Sequence, residues 1–479
     1  MNNKTIHSLL SLLCLMVLFS ACKKDEVNPN SGAPADATVI FNANSTEDEI
    51  KAGFINLKDG DVVYFGEGKY SLVSTLSINN VSNVKVLGAG KDKTILSFAG
   101  QASAQGSSGQ GILATFTKGL IFQDFAIEDA SKDNIKVEDA EDVRFINLRA
   151  EFTGEPKATN GAYALYPVKS TKVLVEGCYI RGASDAGIYV GQSTQVIVRN
   201  NEVVENVAGI EIENCNNADV YENNVYKNTG GVLVFDLPGL GVIKNGENCR
   251  VFNNTIDDNN TTNFAPEGNI VGSVPAGTGI MLLSAQKVEI FGNKITNNNV
   301  MGIGVFSWLA LQTLDPSQAT TDTGYELYTS DINMHDNTFN RGIVPNTDQR
   351  AIGSLMLAFG YNVGVQLGLT NPANALSPPW QADIFWDGIG VNLHTGTPTD
   401  ANIKIQNNKQ ENTTLLGKSI NDAVFANVNA WALPNNIGTM SDADVVSYMI
   451  STHNIQGVKD NSAYTGAGFV GTEVTDFSK

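Results

Sequence analysis

Two glutamates, Glu211 and Glu213, stand two residues apart in the run AGIEIE. On a strand their side chains leave the same face, with stems roughly 7 Å apart. Cleavage of a glycosidic bond wants two carboxylates about 5–9.5 Å apart. The pair fits hydrolysis, as any alternating acid pair on a strand would. Elimination or epimerisation of a uronate needs instead a base, and a cation or arginine to neutralise the sugar carboxylate. Lys136 and Tyr189 are candidate bases, but no arginine cluster accompanies them. Asp236, at the end of GGVLVFD, is a further candidate carboxylate. The run Asp257-Asp258-Asn259-Asn260 concentrates carboxylate and amide oxygens. Such groups suit Ca²⁺, the one cofactor the residues suggest, or else serve as turn formers; no EF-hand spacing is present.

Stepping outward from these residues, the elements that carry them repeat. Asp185–Val207, Val207–Thr229 and Thr229–Asp236 align almost without gaps, and Gly187, Gly209 and Gly231 are 22 residues apart. Further copies begin at Gly277, Met301 and Asp387, and Asp133–Glu151 and Ala162–Ile180 fit upstream. Each copy reads as short β-branched runs of period two, separated by turns and too short for helices. An all-β, right-handed parallel β-helix follows, in which about 22 residues wind once and rise roughly 4.8 Å. Asn201, Asn224, Asn254, Asn293, Asn337 and Asn408 recur at one turn, with Cys178 in the equivalent place a coil earlier. Asparagine tolerates left-handed backbone, and stacked amides can hydrogen-bond from coil to coil. This ladder reads as structural. The Leu-x-x-Leu-x-Leu frame of a leucine-rich repeat is missing.

With Ile188, Val190, Ile210, Ile212, Val232 and Val234 pointing inward, the outward residues form columns. One runs Lys136, Tyr166, Tyr189, Glu211, Leu233, Met281, Gly304; the next runs Glu138, Val168, Gly191, Glu213, Phe235, Leu283, Phe306. Trp308 follows, and His394 aligns with it in a later coil. One end is tyrosine and carboxylate, the other phenylalanine, leucine, methionine and tryptophan. Such a face is either a cleft, with rings for sugar C–H faces and glutamates for hydroxyls, or it is buried under loops. Long insertions at Leu237–Glu247, Asp257–Thr278, Leu309–Thr329 and Phe339–Trp386 are available to cover it. The expectation is burial for Phe235, Leu283 and Phe306, and an open groove at Tyr166, Tyr189, Glu211 and Glu213.

The first residues give an address. Lys4 precedes an apolar run, Leu9–Phe19, that is too short to span a bilayer and has signal-peptide length. Ser20-Ala21-Cys22 follows and resembles a bacterial lipobox, which implies lipidation of Cys22. Lys23-Lys24-Asp25-Glu26 resembles the surface-export signal of Bacteroidetes lipoproteins, and the segment to Ala37 is a flexible tether. The expected order is therefore signal peptide 1–21, lipidated tether 22–37, cap and first coils 38–100, β-helix 101–410, and C-terminal cap and tail 411–479. Thr46–Leu57 reads as an amphipathic helix capped by Ser45 or Thr46. Ser441–Ser451 reads as a capped helix, and Ser462–Lys479 as a loose tail. Across 479 residues, 31 Lys+Arg against 50 Asp+Glu give a formal charge of −19. That excludes nucleic acid and anionic membrane surfaces as main partners. Cys178, Cys215 and Cys249 match no zinc spacing and read as buried thiols.

The helix followed by DGDVVYF and then GEGKY resembles the entrance of pectin-lyase-like β-helix proteins, where the helix caps the apolar bore. More narrowly, FDLPGL and NFAPEGNIVGSVPAGTGI resemble a family of β-helix lipoproteins and secreted proteins, and membership there implies no particular reaction. The fingerprints of the enzyme branches are missing. Asn346-Thr347-Asp348 has no Gly-His-Gly after it, and Arg-x-Pro-x-x-Arg and Asp-Pro-His-Asp do not occur. The expectation is an exported outer-membrane lipoprotein, facing the cell surface or else the periplasm. It would bind a polysaccharide or an exported protein, with a polysaccharide lyase, hydrolase or epimerase as the alternative.

Overall fold

The computed structural model describes residues 32–102, 109–340, 348, 353, 383–388, 401–411, 414–415, 418–419, 425–428, 455–459 and 467–478. Cys22, His394 and the helix expected at Ser441–Ser451 lie outside these residues.

One coil shows how the rest is made. Ala186–Gly191, Thr194–Arg199 and Glu202–Val204 are three strands joined by tight corners, and the next coil repeats them as Ala208–Glu213, Asn216–Tyr221 and Asn224–Tyr226. Corresponding strands pair in parallel, Ile188 against Ile210, Val196 against Ala218 and Val203 against Val225. Repetition builds three long parallel sheets, called sheets 1, 2 and 3 in the order in which each coil visits them. They hold 12, 12 and 11 strands among the described residues. Among the described residues two pairs are antiparallel, the last of sheet 1, Phe425–Val428 with Ile455–Lys459, and a separate short pair, Thr414–Leu415 with Lys418–Ser419. The alternation of the strands sends Ile188, Val190, Val196, Val198 and Val203 into a fully buried bore.

Sharp corners need left-handed backbone, which Asn, Asp and Gly accept at least cost. Gln192, Asn200 and Glu205 take φ of 48°, 55° and 57° in one coil. The stacked glycines meet a different demand. A Cβ on Gly187 would lie 2.9 Å from the carbonyl oxygen of Gly209, and one on Gly209 would lie 2.6 Å from that of Gly231. The 22-residue spacing thus marks adjacent rungs, as the repeat implied.

The asparagine ladder is real, with one correction. The Nδ2 group of Asn201 donates to Oδ1 of Asn223 at 2.9 Å, Asn223 to Asn254 at 2.9 Å, Asn254 to Asn293 at 3.0 Å, Asn293 to Asn337 at 2.9 Å, and Asn337 to Asn408 at 2.9 Å. The rung after Asn201 is Asn223, not Asn224, which is exposed at the start of its strand. Nor do the rungs themselves take the left-handed backbone. The preceding residues do, among them Asn200, Glu222, Asn253 and Asn407. The backbone N–H of Cys178 donates to Asn201 Oδ1 at 2.9 Å and so closes the ladder where no amide is available. A second ladder, Asn206–Asn228–Asn259–Asn298, runs up the corner before sheet 1.

The helix spans Glu47–Ile55, with Thr46 and Glu49 forming a reciprocal capping box. Ile50 and Phe54 bury against the first coils, where Phe54 and Phe65 lie 6.2 Å apart. Cys178, Cys215 and Cys249 are buried free thiols, and burial pushes Cys178 and Cys215 up to about 12.

The expected loose tail is instead a strap. Residues 467–478 run up the outer face of sheet 2, across seven successive strands. The carbonyl of Phe469 accepts from Asn333, Gly471 N–H donates to Glu289, and Thr472 exchanges two bonds with Asn248. Val474 N–H donates to Asp219 while its side chain packs on Leu174 and Ile197. Asp476 accepts from Arg199, and the carbonyl of Phe477 accepts from Arg144.

Removing an inner rung should cost far more than removing its neighbour. Asn223→Ala strips two side-chain acceptor bonds and leaves the carbonyl of Val198 without its amide partner. It is expected to destabilise the fold by about 2–4 kcal/mol. Asn224→Ala should change stability by less than about 0.5 kcal/mol. Urea unfolding of the two variants beside the parent checks both values.

Candidate functional site

Sheet 1 aligns the expected columns rung by rung. Lys136 pairs with Tyr166, Tyr189 with Glu211, Glu211 with Leu233, Leu233 with Met281 and Met281 with Gly304. Gly191, Glu213, Phe235, Leu283 and Phe306 form the neighbouring column. Gly191 has a specific task there. A Cβ on it would fall 2.3 Å from the Tyr189 hydroxyl, so the bare backbone lets the ring lie across it. The hydroxyl then reaches the next rung and donates to Glu213 Oε1 at 2.6 Å. Tyr189 packs with Tyr163 and Tyr166, the three ring centroids lying 4.4, 4.8 and 4.9 Å apart.

The open groove expected at this end is not there. Tyr189, Glu211 and Glu213 are only 5, 2 and 7 % exposed. The physical reason is the apolar company they keep. Ala186, Ala208, Leu233 and Met281 line the same outward face, and the Asp257–Thr278 insertion buries Val271 and Val274 against it. The insertion is pinned beside the carboxylates by Asn269, whose Nδ2 donates to Asp185 Oδ2 at 2.9 Å. Only the rim formed by Tyr163, Tyr166, Lys136 and Glu138 stays half-exposed.

Phe235, Leu283 and Phe306 are buried, as expected for that end, and Trp308, a candidate surface aromatic, is buried with them. Trp308 opens a short helix, Trp308–Leu314, in the Leu309–Thr329 region, and its indole N–H donates to the Gln318 carbonyl at 2.8 Å. A small apolar cavity of about 20 Å³ remains beneath, lined by Phe235, Ile270, Val274, Met281, Leu283 and Leu314. These aromatics therefore form a core under the loops rather than a sugar-binding surface.

Other candidates are occupied elsewhere. Asp236 accepts from the Gly246 N–H at 2.9 Å, and its carbonyl accepts from the Tyr325 hydroxyl at 2.6 Å, so it ties down two insertions. Lys136 pairs with Glu138 at 3.0 Å and sits 5.0 Å from the Tyr166 ring centre, while Lys169 holds the other Glu138 oxygen at 2.8 Å. A lysine so engaged is no base for Glu211's neighbourhood. Asp257 accepts from Thr296 and Asn297, and Asp258, at φ 51°, accepts from Asn260. Asp258 is a turn former, while Asp257 ends its strand and bonds to the next coil. Among the described residues no group of three or more His, Cys, Asp or Glu could hold a metal ion.

What remains is a cluster of acids without counter-charge. Among the described residues neither Asp185, Glu211 nor Glu213 has a lysine or arginine beside it. Burial, then the neighbouring Glu213, pushes Asp185 up to about 7, and burial pushes Glu213 up to about 7 against the bond from Tyr189. Burial and the two neighbouring acids hold Glu211 well above the carboxylate range, and its Oε2 has no hydrogen-bond partner. Asp185, Tyr163 and Asn269 were not among the sequence candidates. Asp185 sits at the corner two residues before Gly187, where it looks like any turn former, and Asn269 lies in an insertion without repeat.

A family model described as a right handed beta helix region matches residues 74–239. This chain is a right-handed parallel β-helix. Among curated proteins no sequence matches it. Solved structures similar to this β-helix include the catalytic unit of a GH87 α-1,3-glucanase from Streptomyces thermodiastaticus. It is 15 % identical, with 79 % of this chain and 54 % of that one covered, at a TM-score of 0.45. The A-module of the mannuronan C-5 epimerase AlgE4 from Azotobacter vinelandii is 14 % identical over 79 % of this chain and 93 % of that one, at 0.38. The pectate lyase Pel9A is 13 % identical over 74 % of each chain, at 0.39.

The buried acids of the β-helix leave a signature in its pH response. Unfolded, Asp185 and Glu213 ionise near pH 4; folded, they keep their protons to about 7. Between those values the folded state binds more protons, so stability is greatest on the acid side and falls as pH rises toward 7. Relative to Asp185→Asn/Glu213→Gln, the parent should lose on the order of a few kcal/mol between pH 4.5 and about 7.5. Denaturant unfolding of both proteins across that range checks it.

Proposed function

We propose that the protein is a surface lipoprotein whose β-helix binds a polysaccharide at the tyrosine–carboxylate end of sheet 1. One observation carries the reading. Three tyrosine rings packed at 4.4–4.9 Å stand directly beside the carboxylates of Asp185, Glu211 and Glu213, at the edge of the loop cover. Flat apolar rings suit sugar C–H faces, and adjoining acceptors suit hydroxyls. The rim at Tyr163 and Tyr166 receives the chain first, and movement of the Asn269 segment extends the contact inward. A lipidated Cys22 followed by a short polar tether would hold the β-helix at the outer membrane with this face free.

A second reading, a polysaccharide hydrolase, lyase or epimerase, draws support from Asp185 and Glu213 lying near 7. A carboxyl half-protonated at neutral pH is suited to general acid–base work. In this reading the insertion is a cover that must lift before reaction.

A glycan array with the soluble form starting at residue 37 tests both. Binding of at least one polysaccharide, weakened about tenfold or more by Tyr166→Ala and unchanged by Asn224→Ala, is the expected result. Binding of no glycan, or of an exported protein in place of glycans, overturns it. New reducing ends or unsaturated uronate products favour the enzyme. Cys22→Ser should move the full-length protein from the membrane fraction to the soluble one and abolish lipid labelling.

A further inference from the structure

The acid cluster of sheet 1 contains an imbalance that the polysaccharide reading alone does not explain. Asp185, Glu211 and Glu213 are all nine-tenths buried or more, and Asp133 and Asp236 lie near enough to add to their field. The groups facing them are tyrosines, Tyr163, Tyr166 and Tyr189, and the amide of Asn269. Lys136, on the rim of the site, is spent on Glu138. Buried charges are ordinarily paired, and buried polar atoms bonded. Here Glu211 Oε2 is buried and has no partner.

What would answer this imbalance is a cation, and the geometry narrows its kind. A metal ion needs several oxygens within about 2.6 Å of one point, and among the described residues no such convergence exists. An ammonium carried on a larger frame has looser needs. It donates three hydrogen bonds at ordinary lengths and also favours the faces of aromatic rings. The site already shows that preference, because the Lys136 ammonium lies 5.0 Å from the Tyr166 ring centre. From these observations we infer that the site recognises a sugar bearing a free amine, its ammonium placed between Glu211 and Glu213 against the tyrosine rings. The inference rests on the polysaccharide reading and names the substrate class: a glycan containing amino sugars that are not acetylated.

The mechanism of selection is one of charge and shape. A free ammonium supplies Glu211 Oε2 with the donor it lacks. Acetylation removes the charge and adds bulk beside groups that are already closely buried. A uronate brings a further carboxylate and no ammonium, so it offers the acids no positive charge against which to ionise. Binding an ammonium also favours the ionised carboxylates, so protons leave the cluster as ligand enters.

The test is calorimetric titration, in buffers of differing ionisation enthalpy, with short soluble glucosamine oligomers, their N-acetylated counterparts, neutral glucan oligomers and uronate oligomers. The glucosamine oligomer should bind about tenfold or more tighter than the acetylated one, with net proton release. Glu211→Gln should abolish that preference while Tyr166→Ala weakens all glycans together. Asp185→Asn supplies the same reading if Glu211→Gln fails to fold. Equal or tighter binding of the acetylated, neutral or uronate oligomers overturns the inference and leaves polysaccharide binding standing. Glucosamine binding that survives both carboxylate variants, or is salt-sensitive without proton release, is attraction to the acidic surface and also overturns it. Failure of every oligomer to bind overturns both readings.

Discussion

Each coil must offer the next the same backbone, in the same register, at one strand spacing. That constraint governs everything else in the molecule. Parallel pairing supplies the force but tolerates slippage, and register is fixed by side chains that fit only one place. Two devices do this. The inner amides of Asn201, Asn223, Asn254, Asn293, Asn337 and Asn408 satisfy corner backbone and one another at once. The glycines at 187, 209 and 231 let successive backbones approach where a Cβ would strike a carbonyl. A one-residue slip would break both sets together, and so the repeat is visible in sequence at all.

Because the coil interior is always filled the same way, variety is confined to the outward faces and the corners. On sheet 1 the outward residues change from Lys136 and Tyr166 through Glu211 to Leu233 and Met281 within a few rungs. The apolar rungs demand a cover, and the Asp257–Thr278 and Leu309–Thr329 insertions provide it. The cover does not stop at the apolar boundary. It extends over Glu211 and Glu213, at a cost in desolvation that no neighbouring cation offsets. Nothing in the stacking requires acids at those two positions, since the adjacent coils carry Tyr189, Gly191, Leu233 and Phe235 there. Carboxylates in so costly a place are the physical ground on which the proposed ligand site rests.

The sequence made the fold legible because the fold is periodic. Gly187, Gly209 and Gly231, the columns of sheet 1, and the capped helix at Glu47–Ile55 all follow from spacing and residue type. Asn223 and Asn224 illustrate the limit of that method. Two identical residues stand side by side, and only the corner geometry decides which amide turns inward. The open groove failed for another reason. Column arithmetic places Tyr189, Glu211 and Glu213 on the outside of the coil but is blind to an insertion 50 residues away folding back over them. Asn269 belongs to no repeat, and no pattern ties it to Asp185.

The C-terminal strap extends the same point to the opposite face. Residues 468–478 carry no period and read as a tail, yet they bridge the strands from Asn333 to Arg144. Ten steps of extended chain reach about 33 Å, and six strand spacings about 29 Å, so the segment is nearly straight and parallel to the coil axis. Its partners had a different appearance in sequence. Arg144, Arg199, Asp219, Arg250 and Glu289 look like ordinary solvated charges, but Asp219 and Glu289 are buried, and Asp219 serves both Arg250 and the Val474 N–H. The strap therefore joins seven coils along the outer face of sheet 2. A solenoid held by nearest-neighbour contacts can fray one coil at a time. One crossed by a continuous segment, bonded at almost every rung, must release that segment before the coils beneath it separate. The rigidity this gives sheet 2 is shared by sheet 1 through the same coils, and it holds the tyrosine–carboxylate rungs in fixed register beneath the segment that Asn269 ties to Asp185.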